Sequence, residues 1–132
     1  MNVIALVTLL SLCCVPTAHS QQVKMVHTSV QLKEECEFAE QLVAMAATQP
    51  VPQMVTAKGV SCFGYLRGYT DATVYMQSVR DAKPIYCGER NRDLRKLAAT
   101  FVAYMTAHPE RKETPAADSF AIVIAGTDPC KP

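Results

Sequence analysis

Four cysteines, Cys36, Cys62, Cys87 and Cys130, constrain what this chain can fold into more than any other feature. They are spread widely through helically patterned sequence. In a small exported domain that arrangement reads as a disulfide framework, and paired cysteines are neither nucleophiles nor metal ligands. Sequence alone permits three connectivities. Pairing Cys36 with Cys62 and Cys87 with Cys130 is preferred, because each helical hairpin then gains its own staple. The spacings also lack the close C-x₂₋₄-C pairs usual in zinc sites, so neither a metal nor a cofactor is expected.

The other two cysteines, Cys13 and Cys14, lie in a nearly uninterrupted apolar run from Val3 to Val15, followed by Ala18-His19-Ser20. Size and order match a secretory leader with a small-residue cleavage site. The run is too short for a membrane span, which needs about 20 apolar residues. No Lys or Arg precedes it, a departure from the usual pattern. Residues 1–20 are expected to leave as a signal peptide, with 21–132 forming one domain. Thirteen basic and twelve acidic residues all lie in that domain, with a formal net charge of +1. This balance gives no basic stripe for nucleic acid, and no second apolar stretch could cross a membrane. Glu34, Glu35, Glu37 and Glu40, and the later Arg80, Lys83, Arg90, Arg92, Arg95 and Lys96, read as solvated helix faces.

Apolar spacing predicts an all-α domain, a small disulfide-stapled bundle of about four helices. The first helix runs from about Val30 to Thr48, with Thr28 and Gln31 fitting a capping box and Pro50 and Pro52 ending it. The second runs from about Ser61 to Val79. Its Gly64 and Gly68 cost about 1 kcal/mol each relative to Ala, which close approach of another helix would offset. The third spans about Arg92 to His108, carries the stripe Leu94, Leu97, Ala98, Phe101, Tyr104 and Met105, and stops at Pro109. The fourth starts with Thr114 as N-cap and Pro115 at the first helical position. Gly126 would be its C-cap.

Catalytic equipment is thin, and an enzyme is not expected. Only His27 and His108 remain after the leader; His27 is expected in a poorly ordered arm and His108 at a helix end. No H-E-x-x-H, C-x-x-C or glycine-rich phosphate loop occurs. Asp71 reads as a surface pair with Arg67, worth a few tenths of a kcal/mol, ahead of a buried carboxylate bonding tyrosine hydroxyls.

The segment Ser61-Cys-Phe-Gly-Tyr-Leu-Arg-Gly-Tyr-Thr-Asp-Ala72 resembles the C-x-GY-x-x-G-x-x-DA helix of the Rap/Tai family, immunity proteins against type VI secretion amidase toxins. The likeness continues through Tyr86-Cys87, His108-Pro109-Glu110 and Pro129-Cys130. The resemblance implies a small periplasmic helical protein, often a homodimer, whose partner is a cell-wall amidase effector. It implies inhibition by a loop between late helices that plugs the catalytic cleft. The matching segment is His108 to Thr114, with His108, Glu110, Arg111 and Lys112 as candidate partner-binding residues. Gly64, Tyr65, Gly68, Asp71 and Ala72 would build the scaffold or dimer contact. A second reading is a helical binding or structural protein of the envelope without a toxin partner.

Overall fold

The computed structural model describes residues 27–80, 87, 93–127 and 129–130. The expected signal peptide, Pro84, Tyr86 and Gly88 lie outside the described residues, as do Lys83, Arg90 and Arg92. Four helices follow in order: α1 (Ser29–Ala46), α2 (Gln53–Arg80), α3 (Leu94–Ala107) and α4 (Ala116–Thr127), with a 3₁₀ turn at Pro109–Arg111 between the last two. The all-α reading holds, and both preferred disulfides are present, Cys36–Cys62 and Cys87–Cys130. No described helix is long and apolar enough to cross a membrane.

α1 begins as its sequence dictates. Thr28 accepts from the Gln31 backbone N–H, and Gln31 Oε1 accepts from Thr28 N at 2.9 Å, completing the capping box. Ser29, Leu32, Cys36 and Ala39 form its buried stripe, which packs mainly on α2 and α3. Asp93 caps α3, accepting from Arg95 N and Lys96 N at 3.0 and 3.4 Å. Those backbone donors hold its carboxyl below the usual range. The α3 stripe buries Leu97, Ala98, Phe101 and Met105.

Phe120 of α4 is the centre of the core. Its ring meets Phe101 edge-on at 5.8 Å and Tyr69 at 5.1 Å, so one side chain ties α2, α3 and α4 together. Such aromatic pairs add about 0.5–1.5 kcal/mol each beyond area burial. Cys36–Cys62 runs through this core, linking the middle of α1 to the middle of α2 with Cα atoms 5.1 Å apart.

Three sequence expectations are corrected. α2 starts two turns early, directly after Pro52, whose carbonyl accepts from Thr56 N at 3.0 Å. Cys62 therefore lies mid-helix. The helix tolerates Gly59 because this glycine makes the close approach: an added Cβ would stand 2.9 Å from Leu42 Cδ2 and 3.2 Å from Ala39 Cα of α1. Gly64 and Gly68 face open space instead. At α4, the first turn hydrogen-bonds to Pro115 O, and Gly126 stays inside the helix. Thr114 Oγ1 donates instead to Arg111 O at 2.7 Å.

Candidate partner-binding site

The α3–α4 connection is built by two helix N-termini that complete one another. The first N–H groups of any helix lack intrahelical acceptors. Here Ser29 N donates to Thr114 O at 2.9 Å and Val30 N to Lys112 O at 3.0 Å, so the connection caps α1. In return Ala116 N, at the start of α4, donates to His27 O at 2.8 Å. Thr28 and Pro115 form an isolated antiparallel bridge between these donors. Three long-range main-chain bonds thus fix the loop at its far end.

A cluster of hydroxyls locks it from below. Ser29 and Ser119 are fully buried, and Ser29 Oγ donates to Ser119 Oγ at 2.8 Å. Thr114 Oγ1 lies 3.1 Å from each of these oxygens. Arg111 Nε donates to Ser119 Oγ at 3.2 Å, turning this guanidinium back toward the fold. At the near end, His108 caps α3 by donating its N–H to Tyr104 O at 3.0 Å. Its ring lies 4.5 Å from the Tyr104 ring, and its Nδ1 stands 3.1 Å from Glu110 Oε1. Pro109 opens the 3₁₀ turn, with Arg111 N donating to His108 O at 3.1 Å.

The outward-facing remainder is a short polar ridge: Glu110, Lys112 and Glu113 are exposed, while His108 and Arg111 are half-buried. The Glu110 carboxyl is held below its usual range by its own backbone N–H and, next, by His108. A ridge of fixed shape and alternating charge can recognise a complementary surface at low ordering cost.

Other sequence candidates distribute as follows. The structure brings His108, Glu110 and Arg111 together and leaves the Lys112 side chain projecting beside them. Asp71 is exposed and paired with Arg67 at 2.8 Å, as the surface reading had it. Gly64, Gly68 and Ala72 lie exposed on the outer side of α2. Tyr65 and Tyr69 turn inward and stack at 6.4 Å. Burial raises both phenol pKa values above 10.0. His27 is no loose arm: its ring sits 5.4 Å from Tyr65, and its Nε2 is 3.3 Å from Glu35 Oε2. Ser61 Oγ donates to that same carboxylate oxygen at 2.9 Å, so this serine faces the acid rather than the imidazole. Among the described residues no group of three or more His, Cys, Asp or Glu could hold a metal.

Sequence reasoning missed Ser29 and Ser119. Both stand at buried positions on apolar stripes, Ser29 three residues before Leu32 and Ser119 four before Val123. A serine on a core stripe is the signal that could have found them, since buried hydroxyls need partners.

A family model of the Rap1a immunity proteins matches residues 28–130. The chain belongs to the Rap1a immunity protein family. No curated protein and no solved structure matches it. The matched span opens at the Thr28 cap of α1 and closes at Cys130, so it takes in both disulfides and the whole α3–α4 connection. Membership in the Rap1a immunity family implies an effector as partner.

Proposed function

We propose that this Rap1a protein is a periplasmic immunity protein that binds a peptidoglycan amidase effector of type VI secretion and blocks its cleft with the α3–α4 connection. The observation that carries the reading is the anchoring of that connection. Main-chain bonds from Ser29 and Val30 and the Arg111–Ser119 contact hold its base, while Glu110, Lys112 and Glu113 remain exposed. A preorganised ridge suits steric blockade, because little conformational entropy is lost when it enters a cleft. Action is by occupancy, without turnover. Glu110 and Lys112 make the contacts, and Arg111 chiefly positions them.

Residues 1–20 serve as the signal peptide in this reading, and the disulfides suit the oxidising compartment to which it leads. The outer side of α2 is the candidate face for a homodimer. Val60, Tyr75 and Val79 are exposed there by 56, 64 and 61 %, on the same helix as the unencumbered Gly64, Gly68 and Ala72.

Co-expression tests the reading. A periplasm-directed amidase effector is produced with this protein, full length or lacking residues 1–20. The full-length chain should restore growth and intact wall peptides, and the leaderless chain should not. Lysis in both cases would remove the immunity assignment, and rescue by the leaderless chain would remove the periplasmic one.

A further inference from the structure

The two disulfides stand in opposite surroundings. Cys36 and Cys62 are 0 % exposed and belong to the core cluster with Leu32, Leu66 and Phe101. Cys87 is exposed and Cys130 half-buried, and neither belongs to that cluster. Thiol–disulfide exchange needs an incoming thiolate to reach a disulfide sulfur, so access decides which bridge reacts in the folded protein. Reaching Cys36–Cys62 would require separating α1 from α2, and with them the capping and packing that hold the core. Reaching Cys87–Cys130 requires no core opening.

We propose that Cys87–Cys130 is a thiol–disulfide exchange site of the native protein, open to dithiol reductants, while Cys36–Cys62 is the closed structural bridge. One thiolate of the dithiol attacks Cys87 Sγ, the sulfur of the more exposed residue. A new S–S bond forms to Cys87, the Cys87–Cys130 bond breaks, and Cys130 leaves as a thiolate that takes a proton from water. The second thiol of the reagent, deprotonated, then closes on its partner sulfur and expels Cys87 as a thiolate, which is protonated in turn. Two electrons pass to the bridge; the dithiol becomes a disulfide and the protein gains two thiols. The exchange removes the covalent link between Cys87 and Cys130. α4 itself stays in place, held by Phe120 in the core and by the bond between Ala116 N and His27 O. The α3–α4 connection is therefore indifferent to the state of this bridge.

The test treats the oxidised native protein with dithiothreitol over time, traps thiols with iodoacetamide and maps them by peptide mass spectrometry, with circular dichroism in parallel. Cys87 and Cys130 should be alkylated at least about ten-fold faster than Cys36 and Cys62, with the helical signal retained, because the inner pair opens only with the core. Equal rates, prior opening of Cys36–Cys62, or loss of helix as the outer bridge opens would each overturn the proposal. A second arm uses the double variant Cys87→Ser/Cys130→Ser. Its remaining bridge should resist dithiothreitol as it does in the native chain. Labelling of Cys36 and Cys62 at the outer bridge's native rate would show that the outer bond belongs to the structural framework.

Discussion

One substitution placed at three glycines of α2 should have opposite consequences. A Cβ at Gly59 would stand 2.9 Å from Leu42 Cδ2, 3.1 Å from Leu42 Cβ and 3.2 Å from Ala39 Cα, whereas at Gly64 and Gly68 nothing lies within 4 Å. Replacing a mid-helix glycine by alanine is worth about 1 kcal/mol in propensity at any of the three. At Gly64 and Gly68 that gain should appear nearly whole. At Gly59 the end of Leu42 can swing away, but Ala39 Cα is backbone and cannot, so α1 and α2 must part slightly. Overpacking of this kind costs about 1–3 kcal/mol, which exceeds the propensity gain. Gly59→Ala should therefore be destabilised by about 1 kcal/mol and Gly68→Ala stabilised by about as much. A gap of about 2 kcal/mol corresponds to roughly 1 M in urea midpoint for a domain of this size. Equilibrium urea unfolding with both disulfides intact reads it directly. Equal stabilisation by all three variants would refute the close approach of α1 and α2. Destabilisation by Gly68→Ala that grows with protein concentration would show the outer face of α2 covered by a second copy.

Further outcomes follow from the same structure. Ser119→Ala removes the acceptor of Arg111 Nε and the partner of Ser29 Oγ; a loss of about 1–3 kcal/mol is expected by thermal melting, with faster proteolysis in the α3–α4 connection. Replacing Cys36 and Cys62 by Ala should cost more than replacing Cys87 and Cys130. Loop entropy gives about 3–4 kcal/mol for either bridge, but only the inner pair is also lost from a packed core, and calorimetry checks the order. Burial holds Tyr65 and Tyr69 above the ordinary phenol value of 10.0. Their contribution is complete below the unfolded pKa, near pH 10, and is lost as pH rises through the folded values, so stability should fall on the alkaline side. Ultraviolet titration should show two phenols ionising above 10.0 in the folded protein, with Tyr65→Phe and Tyr69→Phe each removing one of them; absence of this delayed ionisation would contradict their burial.

The parts of the fold written locally were legible in the sequence. The Thr28–Gln31 capping box, the α3 stripe ending at His108-Pro109 and the preferred cysteine pairing all depend on short-range chemistry or simple spacing. Errors arose where tertiary contact overrides propensity. Apolar spacing starts α2 at about Ser61, whereas the helix begins at Gln53 and its Gly59 is the residue that lets α1 and α2 approach. Gly64 and Gly68 have the composition of a close contact without the neighbour. At the site, the motif from His108 to Thr114 marked the segment on which the proposed function rests. Its anchoring could not be read, because Ser29 meets Thr114 and Ser119 across 85 and 90 residues. The same long-range bonds explain why His27, which looked like a loose arm, is part of the structure. The bond from Arg111 to Ser119 across the connection could not be read from the sequence.

The most direct test of the central claim is an inhibition titration of an amidase effector that residues 21–132 of the wild-type protein bind. The comparison is with the double charge reversal Glu110→Lys/Lys112→Glu, and melting temperature serves as the control for folding. Both side chains are exposed, so the fold should survive the change. The wild-type protein should inhibit at one-to-one stoichiometry. The variant should melt normally and lose at least about ten-fold in affinity, the scale of 1.4 kcal/mol or more at a charged contact. Undiminished inhibition by a normally folded variant would place the blocking surface elsewhere and contradict the account.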